Sequence, residues 1–112
     1  MIEAEFSRSE KGFSLNVSGH AGYSSGGGDI VCAAVSGIVY ALAGYLVNEC
    51  EGAVIGALRS GCAAIECGFD GENAMRMAYI GLLQLALTYP DHVRVKCDAW
   101  RVKVGEAREL IA

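Results

Sequence analysis

An uncharged run of 18 residues, from Ile30 to Val47, most constrains the fold of this chain. The run is rich in alanine and glycine, and Asp29 and Glu49 flank it without a nearby lysine or arginine. Its length reaches the lower limit for a membrane span, but its flanks lack the usual basic topology signal. The alternating segments on both sides also need a helix to cover them. We therefore predict a buried helix over residues 30–48, in a small fold or at a subunit contact, and no membrane partner.

Two pairs of alternating segments predict β-hairpins on either side of that helix. Apolar and polar side chains alternate in residues 2–6 and 13–18, which is typical of half-buried strands. The stretch from Ser9 to Gly12 predicts the turn between them. Residues 53–58 and 62–67 predict a second hairpin, joined at residues 59–61.

A second apolar helix is predicted over residues 70–88. Asp70 is the expected N-cap, Glu72 lies in the first turn, and Pro90 marks the end. Residues 92–97 predict a last strand, which the alternating segment from Trp100 to Val104 is expected to extend. The side chains expected to be buried are Val31, Val35, Ile38, Leu42 and Tyr45 in the first helix, and Met75, Tyr79, Leu82, Leu83 and Ala86 in the second.

The predicted element order is ββαββαβ, which indicates an α+β sandwich, a mainly antiparallel sheet covered by two apolar helices. The 112 residues are enough for one domain with one core, residues 1–112. Two such apolar helices in so short a chain favour a homodimer, in which one of the helices packs at the contact between the two copies. A stripe of small residues in the first helix would let another backbone approach closely: Ala33, Gly37, Ala41 and Gly44.

The charge and the cysteines indicate the class of partner and the compartment. Nine basic and 13 acidic residues give a net charge of −4, whereas a free-standing nucleic-acid binder normally carries a basic patch. We expect no direct nucleic-acid partner, and an acidic body attracts a basic one. The five cysteines are an odd number, and the opening residues lack the pattern of a signal peptide. Both observations favour a reducing cytoplasm.

Four residues that could bind a metal occur in two evenly spaced pairs, Cys62 with Cys67 and His92 with Cys97. Both pairs fall in predicted strands, where an offset of five puts the two members on opposite faces of the sheet. Zinc sites use closer pairs across a turn. We therefore expect small core cysteines here, and neither a metal nor another cofactor.

The candidate site is the segment around His20 and Cys32, on either side of a loop of glycine and serine. Asp29 is a good N-cap for the first helix, which places Cys32 in the first helical turn. Backbone N–H groups are unpaired there and the helix dipole is positive, so the thiolate form is favoured. The thiolate is the reactive form of cysteine.

A loop that folds back from the second strand would bring His20 near Cys32 and form an activated cysteine–histidine pair. Unpaired N–H groups at the helix start, including that of Cys32, would then form an oxyanion hole. Ser36 lies one turn further on the same helix face. The alternatives are a surface histidine with a buried cysteine, or a flexible glycine connector. A phosphate loop lacks its usual motifs here, and Asp29 would repel the phosphate.

Two segments, residues 19–22 (GHAG) and residues 29–36 (DIVCAAVS), resemble the paired signature of the ribosomal-processing cysteine protease family (Prp). The resemblance extends to the chain length, the element order and the acidic start of the second helix. It implies a bacterial cytoplasmic endopeptidase that acts as a homodimer and needs no metal. Such an enzyme removes an N-terminal extension from large-subunit ribosomal protein number twenty-seven, cutting after an aromatic residue.

The resemblance also implies the roles of single residues. Cys32 is the expected nucleophile and His20 the expected general acid and base, with supporting roles for Asp29 and Ser36. The intervening loop is expected to order when substrate binds. Its expected substrate-contacting residues are Gly22, Tyr23, Gly26, Gly27 and Gly28. The stretch from Ser24 to Gly28 is richer in glycine and poorer in charge than the family pattern, so the cleavage preference is open.

Two other functions remain alternatives at the level of the sequence. A ribosome-associated assembly factor would hold a basic ribosomal segment without cutting it. A thiol redox enzyme would need a second cysteine close to Cys32, whereas Cys50 is expected about four to five turns away on the same helix.

Overall fold

A computed structural model describes residues 1–22 and 29–102. Its elements are β1 (Ile2–Ser9), β2 (Gly12–Ser18), α1 (Ile30–Glu49), β3 (Val54–Arg59), β4 (Cys62–Cys67), α2 (Glu72–Thr88) and β5 (Val93–Cys97). Five strands form one sheet, in the spatial order β3-β4-β2-β1-β5. The pairs β1–β2, β2–β4 and β3–β4 are antiparallel, and β1–β5 is parallel. The predicted class, a mainly antiparallel α+β fold, is confirmed.

The alternation in the strands places one face of the sheet in the core. Ile2, Ala4 and Phe6 of β1 are buried, whereas Glu3 and Glu5 between them are exposed. The three central strands follow the same pattern, and α1 and α2 pack on the sheet and against each other. The crossover through α2 returns the chain to the far side of β1, and this connection produces the one parallel pair.

Helix α1 packs through a stripe that differs partly from the predicted one. Val31, Val35 and Leu42 are buried as expected, but Tyr45 is 53% exposed and Ile38 is half-buried. Their predicted places are taken by Val39 and Leu46. Because the helix is apolar all round, periodicity alone did not distinguish these positions. By length and composition α1 is also a candidate membrane span, with a mean hydropathy of 2.2.

The predicted cap of α2 is wrong. Asp70 lies in a short 3₁₀ turn, Phe69–Gly71, and α2 begins after it without a side-chain cap. The Asp70 carboxylate instead accepts a hydrogen bond from the backbone of Glu51, at 3.2 Å. It therefore ties the start of α2 to the chain that leaves α1. Of the side chains predicted for burial in this helix, Met75, Tyr79 and Leu82 are buried and Leu83 and Ala86 are half-buried.

The chain after β5 turns back over the core instead of extending the strand. The Cys97 sulfur accepts hydrogen bonds from the N–H groups of Ala99 and Trp100, at 3.3 and 3.4 Å. The Trp100 ring then stacks on Phe13 with 5.0 Å between centroids, and its N–H donates to Glu72 at 3.0 Å. The predicted extension is therefore wrong for residues 100–102. Lys103 and Val104 lie outside the described residues.

Candidate active site

The backbone that follows β2 is fixed by neighbours on both sides. The N–H of Gly19 donates to the carbonyl of Gly61 at 3.0 Å, and the amino nitrogen of Met1 donates to the carbonyl of His20. Gly19 has a φ of +92°, and a methyl group there would collide with the Met1 carbonyl. The first glycine of the GHAG segment is therefore required by the close approach of two strands.

Asp29 caps helix α1 as predicted. Its carboxylate accepts hydrogen bonds from the N–H groups of Val31 and Cys32, at 2.9 and 3.0 Å. The N–H of Ala33 donates to the carbonyl of Asp29 at 3.1 Å. The expectation that the Cys32 N–H stays unpaired is therefore wrong, because the cap that starts the helix already uses it. The predicted position of Cys32 in the first turn is confirmed.

The sulfur of Cys32 faces the backbone next to His20. The N–H of Ala21 donates to this sulfur at 3.3 Å. The methyl group of Ala21 is only 3% exposed and lies in the core, so this N–H donor is held at a buried point. A donor at this position stabilises negative charge on sulfur. The chain just after β2 and the first turn of α1 thus hold the two halves of the sequence motif together.

The His20 side chain lies on the surface, against the turn between β3 and β4. A methyl group on Gly61 would stand 2.7 Å from Nε2 and 2.9 Å from Cε1 of the imidazole. Within the described residues, the imidazole makes no hydrogen bond to the Cys32 sulfur. The ring and the sulfur nevertheless line the same cleft.

This cleft has an apolar floor, and its rim combines an aromatic residue with polar and charged ones. The floor includes Val17, Val35 and Val39. Ser36 lies on its wall one turn after Cys32, and in the described part of the chain it makes no hydrogen bond to that sulfur. The rim adds three residues that the sequence analysis did not single out: Tyr40, Arg59 and Ser60. Tyr40 occupies the next turn of α1 after Ser36, a spacing that marks the same helix face.

A second histidine reaches this region from the other end of the chain. Nδ1 of His92 lies 2.8 Å from the carbonyl oxygen of Ala21. His92 is half-buried and stands immediately before β5. The sequence analysis considered it only as a possible metal ligand. No metal-binding group of three or more such side chains occurs among residues 1–22 and 29–102.

Two of the other cysteines, Cys67 and Cys50, differ from Cys32 in their surroundings. Burial raises the pKa of the Cys67 thiol. Partial desolvation and the negative charges of Asp70 and Glu49 raise the pKa of Cys50, which follows the opposite end of α1. The two thiols are therefore poor nucleophiles near neutral pH. The length of α1 separates Cys50 from Cys32, which argues against a redox pair.

Only one of the predicted substrate-loop residues can be placed. Gly22 is exposed, with a φ of +65° and open space around its α-carbon. Tyr23, Gly26, Gly27 and Gly28 lie outside the described residues.

The family assignment rests on a comparison of the sequence with models of protein families. The model described as cysteine protease Prp matches residues 1–94. The chain belongs to this family. The matched range includes the whole of the candidate site, and membership in Prp makes the chain a cysteine protease. No curated protein matches the chain in a sequence search.

Solved structures share the fold. The essential ribosomal processing protease Prp from S. aureus, in complex with a covalently linked product peptide, superposes with a TM-score of 0.74 at 20% identity. That match covers 88% of this chain and 100% of the other. SMU.848 from Streptococcus mutans matches with a TM-score of 0.66 at 25% identity, over 87% of this chain and 93% of that one. The predicted fold of the family is therefore present here.

Proposed function

We propose that this protein is a ribosomal-processing endopeptidase in which Cys32 is the nucleophile and His20 the general acid and base. The observation that carries the proposal is the hydrogen bond from Ala21 to the Cys32 sulfur. It places the residue after His20 at 3.3 Å from the sulfur and joins the two halves of the signature. A thiol at a capped helix start beside a backbone N–H donor is an arrangement suited to a reactive thiolate.

The reaction begins when the Cys32 thiolate attacks the carbonyl carbon of the scissile peptide bond. The tetrahedral intermediate collapses, the C–N bond breaks, and the leaving amine takes a proton from His20. Water then attacks the resulting thioester and gives one proton to His20. The C–S bond breaks, which restores the thiolate and releases a carboxylic acid that loses its proton to solvent. The proposal requires the imidazole to turn from Gly61 toward the sulfur during this cycle. Catalytic hydrogen bonds are often long before substrate binds.

The lining of the cleft suits an apolar side chain of a peptide better than a small polar ligand. Its floor is apolar, and Tyr40 and Arg59 stand at the rim. The related S. aureus protease is described in complex with a substrate peptide, at 17% identity and a TM-score of 0.72. An apolar floor beside the nucleophile suits the aromatic residue that the family resemblance implies on the N-terminal side of the cut.

The proposed substrate is the precursor of large-subunit ribosomal protein number twenty-seven, with its N-terminal extension. Ribosomal proteins are commonly basic, and the net charge of −4 on this protein favours encounter with a basic segment. The same charge disfavours direct binding of nucleic acid. We place the reaction in the cytoplasm, where the free thiol of Cys32 would remain reduced.

The proposed assembly is a homodimer that packs through a groove between α1 and α2. The groove is lined by Ala33, Gly37 and Ala41 of α1, which belong to the predicted small-residue stripe, together with Tyr45 and Met77. Met77 is 72% exposed. A second copy of the chain, packed through the same groove, would bury these side chains. The small residues would allow the α1 helices of the two copies to approach closely.

Cleavage of a defined substrate tests the proposal. The protein is incubated with a peptide that spans the extension and the mature N-terminus of the ribosomal protein, and the products are identified by mass spectrometry. A second peptide carries alanine in place of the aromatic residue. We expect one cut after the aromatic residue and at least a tenfold lower rate with alanine. No cleavage of either peptide, or equal cleavage of both, would contradict the proposed specificity.

A further inference from the structure

A chain of two hydrogen bonds connects His92 to the Cys32 sulfur. Nδ1 of His92 lies 2.8 Å from the carbonyl oxygen of Ala21, and the N–H of the same residue lies 3.3 Å from the sulfur. Ala21 therefore accepts one hydrogen bond at its carbonyl oxygen and donates another from its N–H. These two contacts, together with the buried methyl group, fix its backbone from three directions.

The direction of the first hydrogen bond determines where His92 carries a proton. A carbonyl oxygen only accepts, so Nδ1 must be the donor. Both the neutral Nδ1–H tautomer and the imidazolium ion satisfy this requirement. The contact therefore does not depend on a change of charge at His92.

The backbone of His92 is itself well anchored. Its carbonyl accepts a hydrogen bond from the N–H of Ile2 at 2.8 Å, and its N–H donates to the carbonyl of Tyr89 at 3.0 Å. The first contact belongs to the parallel pairing of β1 with β5. The imidazole is thus presented to Ala21 from a rigid edge of the sheet, which is suited to orienting another group.

The geometry points to His92 as a positioning residue that holds the Ala21 N–H on the Cys32 sulfur and keeps the neighbouring His20 in place. This inference rests on the proposed function of Cys32. The Ala21 N–H favours the thiolate because a hydrogen bond to a charged acceptor is stronger than one to a neutral acceptor. Without the histidine donor, the backbone of Ala21 can rotate and weaken that bond.

Two substitutions at His92 separate hydrogen bonding from packing. His92→Leu fills much of the space but removes the donor. His92→Asn replaces the ring with an amide whose nitrogen is the same number of bonds from the α-carbon as Nδ1, and it can donate to the same carbonyl. Val95→Ala serves as a control, since it weakens the packing of β5 three positions after His92, where the strand pairs with Ala4.

Each variant is assayed for kcat and KM on the extended peptide, for the rate of Cys32 modification by iodoacetamide at pH 7, and for thermal stability. We expect His92→Leu to lower kcat and the modification rate about fivefold, the effect of one hydrogen bond, with KM within about twofold. His92→Asn should recover most of both losses. Val95→Ala should lower the melting temperature and leave both rates near wild type.

Three outcomes would overturn the positioning role. They are wild-type rates in His92→Leu, equal losses in His92→Asn and His92→Leu, and a comparable loss in Val95→Ala. Failure of the proposed function looks different, because the wild-type protein would then cut neither peptide, or Cys32→Ala would keep its peptidase activity. The modification rate of Cys32 needs no peptidase activity, so it judges the role of His92 even in that case.

Discussion

The imidazole of His20 packs directly over Gly61, in the turn that joins β3 to β4. A methyl group on Gly61 would lie 2.7 Å from Nε2 of the ring. The proposed general acid and base therefore rests on a residue that follows it by about 40 positions in the sequence. The N–H of Gly19 also donates to the Gly61 carbonyl, so the turn supports both the backbone and the side chain of this segment.

Gly61→Ala is predicted to displace the His20 ring and reduce catalysis. The turn also holds the backbone from which the ring swings toward the sulfur, through the hydrogen bond between Gly19 and Gly61. Misplacing a catalytic group by about 1 Å costs on the order of 100-fold in rate, and we expect kcat to fall by roughly that factor. Gly52→Ala is the matched control, because Gly52 has nearly the same φ, +75° against +77°, with open space around it. Both variants bear the strain of a left-handed residue, about 1–2 kcal/mol.

Peptide cleavage and thermal unfolding, measured on both glycine variants, separate the two effects. The melting temperature should fall in both, whereas kcat should fall in Gly61→Ala alone. Equal activity in the two variants would show that the contact with His20 is dispensable.

The buried thiol of Cys67 is predicted to make stability sensitive to alkaline pH. Burial raises its pKa in the folded protein, so the unfolded chain loses this proton first as the pH rises. The free energy of unfolding should therefore decrease above about pH 8.5, the ordinary thiol pKa, up to the raised value. Urea unfolding of wild type and Cys67→Ala between pH 7 and 10 measures this contribution. Parallel pH profiles for the two proteins would rule it out.

Met77→Glu is predicted to dissociate the proposed homodimer. A carboxylate in the apolar groove between α1 and α2 would lose hydration on association without gaining a partner. Val54→Glu adds the same charge at an exposed apolar side chain on β3, outside the groove, and should not alter the assembly. Sedimentation equilibrium reports the molecular mass of each variant. A wild-type monomer, or a Met77→Glu dimer as tight as wild type, would refute this interface.

The fold was predictable because its signals are local. Alternation over two or three residues per face indicated the strands, and the uncharged run indicated α1 to within one residue of its observed end at Glu49. The errors at Asp70 and Trp100 have a common cause. Each residue makes its decisive contact with a distant segment, Asp70 with Glu51 and Trp100 with Phe13, and such contacts leave no periodic pattern.

The candidate site was predictable only where it is continuous in the sequence. Asp29 and Cys32 are related by helix geometry, and His20 by the family signature. Gly61 and His92 reach the site through strand pairing, β2 with β4 and β1 with β5. The order of strands in the sheet cannot be read from alternation, because each strand only reveals which of its faces is buried.

The most direct test of the account compares the peptidase activity of Cys32→Ala with that of Cys50→Ala. Both variants remove one free thiol from the chain, and Cys50 follows the opposite end of the same helix. We expect kcat/KM to fall at least about 1,000-fold in Cys32→Ala and to stay near wild type in Cys50→Ala, because Cys32 alone forms the thioester. Wild-type activity in a folded Cys32→Ala variant would contradict it.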